Sequence, residues 1–256
     1  MARGGAHPLA GKRIVLTGAS RGIGRAVALR LAGAGARVLA AARGEEALAA
    51  LAREAEPLAG EIFPHPCDVT RPAEVEALTE AARERLGGVD ALVNNAGAGV
   101  FRPLEDLSPE DFDATLAVCL RAPYLLIRSL CPLLEQGGGD EEGGGDIVNI
   151  SSICAVAGFP GAAAYSAAKA GLEGMTRALV EELRPRGIRI ALLRPGATAT
   201  RMWRDIPGEF DLEKMVPPEM VAESVEFLLS QSRRAWTETL TIYPPGGSVE
   251  AASAGD

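Results

Sequence analysis

Histidine is nearly absent from this 256-residue chain: only His7 and His65 occur, which excludes a histidine-rich metal centre. His65, Cys67 and Asp68 stand close together, but neighbours on one extended strand cannot converge on a single ion as tetrahedral or octahedral ligation requires. No metal is expected. Aromatic residues make up 4%, too few for a nucleic-acid reader that stacks bases on rings. Positive charge is in deficit, with 26 Lys and Arg against 34 Asp and Glu and a formal net charge of -8. That balance argues against a phosphate-backbone partner and chiefly favours solubility. No stretch of about 18 uncharged apolar residues is available to span a bilayer, and residues 1–10 lack the apolar core of a signal peptide. Cys67, Cys119, Cys131 and Cys154 are scattered without CxxC spacing and read as reduced thiols. A soluble, cytoplasmic protein that binds neither nucleic acid nor membrane is expected.

What is present is a chain that is 47% hydrophobic and carries 30 glycines, a composition suited to helices packed closely on a sheet. Apolar, β-rich runs at 13–17, 36–42, 61–67, 89–93, 146–150, 188–193 and 240–243 predict seven strands. Their near-continuous apolar character suits parallel strands covered on both faces. Amphipathic stretches near 22–34, 44–55, 72–86, 109–135, 163–184 and 217–231 alternate with them. Ser108 before Pro109 reads as an N-cap followed by Pro at the first helical position, and 70–74 (TRPAE) offers a similar polar cap and early Pro. The alternation predicts a single α/β, Rossmann-type domain over 1–256: a doubly wound, mostly parallel seven-stranded sheet with helices on both faces. Pro64 and Pro66 predict a third strand broken near its end. The glycine-rich run 136–146 is expected to be a flexible loop, and 1–10 and 250–256 flexible tails.

At the first strand–helix junction stands 17–24 (TGASRGIG). Phosphate binding needs glycine there, because small residues permit a tight turn and close approach while the helix N-terminus offers free N–H groups and its dipole. Gly18, Ser20, Arg21, Gly22, Ile23 and Gly24 are therefore candidate cofactor contacts. The same residues also fit GxSxG, the nucleophile elbow of α/β-hydrolases. That reading lacks its base, since the only downstream histidine is His65, with no Asp between it and Ser20. At the end of the second strand, where an acid would bond the ribose 2′-hydroxyl of NAD, the chain reads Ala41-Ala42-Arg43. Arg43, with Arg21, suits a 2′-phosphate through charge-assisted hydrogen bonds, and NADP(H) is expected.

Tyr165 and Lys169 form YxxxK on a predicted helix, an i, i+4 spacing that puts both on one face. An ammonium beside a phenol favours the phenolate and lowers its pKa. Ser152 follows the fifth strand, and strand C-terminal ends line the ligand crevice of such sheets. With these residues, Asp68, 94–97 (NNAG) and 195–200 (PGATAT), the chain from about residue 10 to 248 resembles the short-chain dehydrogenase/reductase family.

The resemblance implies roles. Tyr165 gives its proton to the carbonyl oxygen as hydride arrives from the nicotinamide, Ser152 orients that oxygen, and Lys169 binds the nicotinamide ribose and tunes the phenol. Asp68 and Val69 meet the adenine and Asn95 a cofactor ribose, while Pro195, Gly196, Thr198 and Thr200 form the nicotinamide end. Asn94 is as consistent with tying the central strands together as with touching cofactor. One position departs: 118–120 reads Val-Cys-Leu where the family usually has Asn, so Cys119 either alters turnover or is a tolerated helix residue. The segment 201–218, with Met202, Trp203, Ile206, Phe210 and Met215, corresponds to the family's substrate lid or to helix packing. The sequence is similar to 3-oxoacyl-carrier-protein reductases and general ketone reductases. A homodimer or homotetramer is implied, built on the helices carrying Cys119 and Lys169, with Ala167, Ala168, Ala170 and Gly171 allowing close packing. A catalytically weak NADP-sensing protein and an NAD-dependent alcohol dehydrogenase remain as alternatives.

Overall fold

The computed structural model describes residues 7–138, 143–206, 208 and 210–247. Its strands are β1 (Arg13–Thr17), β2 (Arg37–Ala42), β3 (Glu61–Pro66), β4 (Ala91–Asn94), β5 (Asp146–Ile150), β6 (Arg189–Pro195) and β7 (Thr239–Ile242). They form one sheet in the order β3-β2-β1-β4-β5-β6-β7, every neighbouring pair parallel. The chain winds outward from β1 to β3, then returns to β4 and winds the other way. This reversal parts the C-terminal ends of β1 and β4 into the crevice where doubly wound sheets bind ligands.

The helices are α1 (Gly22–Gly33), α2 (Glu45–Ala55), α3 (Pro72–Ala81), α4 (Pro109–Leu116), α5 (Ala122–Glu135), α6 (Ala163–Leu183) and α7 (Pro218–Leu229). Alternate strand residues feed two cores, as the two-residue period of a strand demands. Ile14, Leu16, Val38 and Ala40 pack with α1, α2 and α7; Val15, Leu39, Leu92 and Ile147 pack with α3, α5 and α6.

Ser108 caps α4 as expected, its Oγ accepting from Asp111 N at 3.1 Å. Thr70 does not cap α3. The cap position is Arg71, without a side-chain bond, because Thr70 donates its hydroxyl to Asp68 Oδ1 at 2.7 Å instead. The third strand is unbroken and pairs with β2 along its whole length. Glu61 N and Cys67 N donate to Ala36 O and Ala42 O, so odd positions face β2, and Pro64 and Pro66 turn their nitrogens to the open edge of the sheet, where no donor is needed.

Helices α4 and α5 are joined by a π turn, Ala117–Arg121, into one run. Pro123 has no N–H for the Cys119 carbonyl four residues back, and the turn ahead of it widens. By length and composition this 27-residue run could cross a membrane, but Leu126, Leu130 and Leu134 are packed on the sheet.

The segments expected to be flexible, 1–10, 136–146 and 250–256, fall only in part among the described residues. Residues 7–10 form a turn with Leu9 fully buried; 1–6 and 248–256 lie outside the described residues. The flanks of the glycine-rich run are likewise tied down: Gly138 N donates to Asp90 Oδ1 at 3.0 Å, and the Arg233 guanidinium donates to the carbonyls of Gly143 and Gly144. Only its centre, 139–142, lies outside the described residues.

Candidate active site

The glycine turn is built by close approach. Gly18 and Gly22 have φ of 68° and 53°, a region open chiefly to glycine. A Cβ on Gly24 would fall 2.1 Å from Gly18 O and 2.4 Å from Asn95 Nδ2, so only hydrogen fits. Asn95 locks the turn: its Nδ2 donates to Thr17 O at 2.9 Å and Gly18 O at 3.2 Å. Thr17 Oγ1 accepts from the main-chain nitrogens of Asn95 and Ala96. The Asn95 amide thus faces the turn's own backbone.

The first turn of α1 has neither a side-chain cap nor an acidic residue, leaving N–H groups and dipole for an anion. Ser20 and Ile23 are half-buried beside it. Across from it, a Cβ on Gly22 would lie 3.4 Å from Thr200 Cγ2, so the turn and the segment after β6 face each other. Arg21 and Arg43 are exposed and make no ion pair among the described residues. Asp68 lies at the next strand exit. The Thr70 hydroxyl holds its carboxyl below the usual range, with Arg43 and Arg71 contributing. Val69 is buried.

The exits of β5 and β6 supply the other wall. Ser152 stands two residues past β5, its Oγ accepting from Cys154 N at 3.2 Å. Tyr165 and Lys169 sit on the first turns of α6, both buried. The Tyr165 ring lies 5.4 Å from that of Phe101 and covers Gly99, where a Cβ would come within 2.8 Å of the ring. Lys169 Nζ is 5.6 Å from the Tyr165 ring centroid and donates to Ile150 O at 2.8 Å. Burial, more than the ammonium, sets the phenol here. It pushes Tyr165 up, with the Cys119 and Cys154 sulfurs adding and the Ser152 hydroxyl opposing. Burial likewise pulls Lys169 down, opposed by Cys119, Cys154 and Glu173. Exclusion of water thus acts on the phenol in the opposite direction to the neighbouring ammonium to which the spacing draws attention. Cys119 is fully buried, its thiol 3.1 Å from Ala98 O.

At the nicotinamide end expected from the sequence, Pro195 closes β6, Gly196 N donates to Ile242 O at 2.7 Å, and Thr198 is buried with its Oγ1 on Gly196 O. Asn94 ties β4 to β5 through Nδ2 and Asn149 Oδ1 at 2.8 Å. In the following segment Trp203 Nε1 donates to Thr198 O at 2.8 Å, its ring packs 4.6 Å from Phe210, and Met215 is buried. These three support the segment from within, while Met202 and Ile206 are half-buried.

Sequence reasoning missed the buried Glu173 and Ser151 and the half-buried Arg194, a cluster one helical turn past Lys169. The i, i+4 step from Lys169 to Glu173 was its only readable signal. Two of the four small residues expected to pack between subunits are used within the chain: Ala168 is fully buried, and a Cβ on Gly171 would meet Leu120 at 2.9 Å. Ala167 and Ala170 are exposed.

Residues 12–209 match the family described as short chain dehydrogenase. A 3-oxoacyl-[acyl-carrier-protein] reductase of Thermotoga maritima is 34% identical over 230 residues, 87% of this chain and 92% of the relative. The crystal structure of a metagenomic short-chain oxidoreductase in complex with NADP superposes with a TM-score of 0.79 at 35% identity, covering 92% of this chain and 97% of the other. A 3-ketoacyl-(acyl-carrier-protein) reductase from Brucella melitensis complexed with NADH gives a TM-score of 0.84 at 31% identity, covering 93% and 98%.

Proposed function

Because the chain belongs to the short-chain dehydrogenase/reductase family of oxidoreductases, we propose that it reduces a ketone to an alcohol with NADPH, a 3-oxoacyl thioester being the first substrate class to test. The observation that carries this reading is the grouping of Ser152, Tyr165 and Lys169 where β5 and α6 meet, beside a glycine turn whose helix N-terminus is uncapped. The turn fits a dinucleotide: Gly18 and Gly24 leave no room for side chains, and its N–H groups have no competing acid.

Gly18, Ser20, Arg21, Gly22, Ile23 and Gly24 would hold the pyrophosphate, Asp68 and Val69 the adenine, and Lys169 the ribose nearer the reaction, while Asn95, first expected at that ribose, would act by holding the turn from behind. Pro195, Gly196, Thr198 and Thr200 would hold the carboxamide end. When bound, the dihydronicotinamide supplies the hydride. Tyr165 would protonate the substrate oxygen, and because burial raises the phenol, that step depends on a group that stabilises the tyrosinate. Ser152 donates a hydrogen bond to the same oxygen and fixes the carbonyl plane. Lys169 places its ammonium beside the phenol, so that the tyrosinate left after proton transfer is stabilised.

Arg43 supports NADPH over NADH because it stands where an acid would select NAD, with Arg21 in reach of the same turn's ligand. The NADP-bound metagenomic relative supports the same choice. The thioester is suggested by the reductases of Thermotoga maritima and Brucella melitensis. Ala167 and Ala170, exposed on α6, and Tyr124, exposed on α5, support self-association through these helices.

The test is NADPH oxidation with an acetoacetyl thioester and several diketones, NADH serving as control. Tyr165→Phe is expected to lower turnover by about two to four powers of ten. Arg43→Ala is expected to weaken NADPH roughly 10- to 100-fold and leave NADH unchanged. Equal use of both cofactors, unaffected by Arg43→Ala, would favour an NAD-dependent alcohol dehydrogenase. Tight NADPH binding without turnover would favour a sensing protein, the reading that Cys119 supports.

A further inference from the structure

Glu173 lies one helical turn past Lys169 on α6 and is 3% exposed. Its carboxylate accepts from Arg194 Nε at 2.9 Å and Nη2 at 2.7 Å, and from Ser151 Oγ at 2.7 Å. Arg194 Nη1 continues to Thr241 Oγ1 on β7 at 3.0 Å. The position of each partner in the chain is informative. Ser151 immediately precedes Ser152, Arg194 immediately precedes Pro195, and Glu173 shares a helix face with Tyr165 and Lys169. One carboxylate therefore joins the exits of β5 and β6 to the helix that bears the acid. A buried ion pair is a poor device for stability alone, since apolar residues of similar volume commonly do as well or better. Its location calls for another role.

We propose that Glu173 is a positioning residue, which through Ser151 and Arg194 sets Ser152 and the Pro195–Gly196 segment in register with Tyr165 and Lys169. The inference rests on the reaction centre assigned above. Glu173 also acts on charge. Lys169 is faced by Tyr165 and Glu173 from its own helix, Cys119 from the π turn and Cys154 from the turn after β5. Glu173 is faced by Arg194 from β6, Arg177 from α6 and Lys169. Glu173 is the carboxylate in this set, and with the two sulfurs it opposes the loss of the Lys169 proton on burial.

The test uses the full chain with two variants, Glu173→Gln and the apolar pair Glu173→Leu/Arg194→Met, beside Tyr165→Phe. Thermal midpoint, NADPH binding without substrate, and turnover against pH are measured on each. Glu173→Gln leaves Arg194 uncompensated near Lys169. Turnover is expected to fall about tenfold and its alkaline limb to move down by roughly one pH unit. The apolar pair is expected to melt at or above the wild-type temperature yet keep a turnover deficit of about tenfold and weaker NADPH binding, because Ser151 has lost its acceptor. This pair carries the test if Glu173→Gln fails to fold. Wild-type turnover and cofactor binding in the apolar pair would make the cluster merely structural and overturn the proposal. If Tyr165→Phe is inactive while the Glu173 variants behave as wild type, this inference fails and the reaction centre stands. If Tyr165→Phe retains turnover, both fall.

Discussion

Cys119 shows how one side chain can hold a loop without touching the reacting atoms. Its thiol meets the Ala98 carbonyl at 3.1 Å, and Ala98 lies between Gly97, which borders Lys169 Nζ, and Gly99, which supports the Tyr165 ring. A thiol is a weak donor, so the group's volume in a fully buried place matters as much as its hydrogen bond. Cys119→Ser keeps a donor of similar size, and turnover is expected to stay within about threefold of wild type. Cys119→Ala loses both, and should cost about 1 kcal/mol in urea unfolding with a larger fall in turnover than the Ser variant. Equal behaviour of the two variants would remove the thiol from any part in placing the loop. The same scale explains the phenol. The YxxxK spacing correctly puts ammonium beside ring, but spacing carries no information on how much water is excluded, and exclusion decides the direction in which both groups move.

Among the elements, the segment after β4 is the most exacting. Gly99 has no left-handed backbone requirement; what forbids a side chain there is the Tyr165 ring, 2.8 Å from where a Cβ would sit, with Phe101 at 3.1 Å. Gly99→Ala is expected to shift the ring by a few tenths of an ångström. Turnover should drop by one to two powers of ten while the thermal midpoint moves little, as calorimetry beside steady-state assays would reveal. An unchanged turnover would mean the ring is not held there. Strands and helices were readable from periodicity because each buries a regular stripe, and the glycine turn because its residue types follow from a tight backbone path. Ser108 was readable as a cap since Pro109 fixes the helix start. Thr70 was not, because Asp68, two residues away, competes for its hydroxyl. Pro64 and Pro66 looked like strand breakers until the sheet order put β3 at an edge, a fact no local pattern contains. The Glu173 cluster was hidden for a related reason: its partners sit 21 and 22 residues away on other elements, and only the fold brings them together.

At the scale of the molecule, one source of stability toward acid lies where β1 and β4 begin. Asp90 Oδ2 accepts from Arg13 N and Nε at 2.8 and 3.0 Å, and Oδ1 from Arg13 Nη2 at 2.7 Å and Gly138 N at 3.0 Å. Burial pushes the Asp90 carboxyl up, but the bonds from Arg13 and Gly138 together outweigh it and hold the carboxyl below its ordinary value. A folded pKa below the unfolded one, about 3.9, gives stability that is complete above pH 4 and is lost as pH falls through the folded value. Asp90→Asn is expected to lose about 2–3 kcal/mol at pH 7 and progressively less toward pH 3. Urea unfolding at both pH values checks this, and a constant gap would exclude the linkage.

The two margins of the sheet are not equivalent. Beyond β3, Pro64 and Pro66 present no N–H groups to a further strand, whereas β7 has no such block. Polymerisation by strand addition needs a growing tip on both sides of every subunit, and of the two edge strands among the described residues only β7 is free of proline. Two copies meeting there must meet by the same edge, which pairs their strands antiparallel about a twofold axis and exhausts the contact. The prolines that make β3 hard to read in the sequence thereby act against growth of a chain of copies, and association by strand pairing at β7 would end at a closed pair.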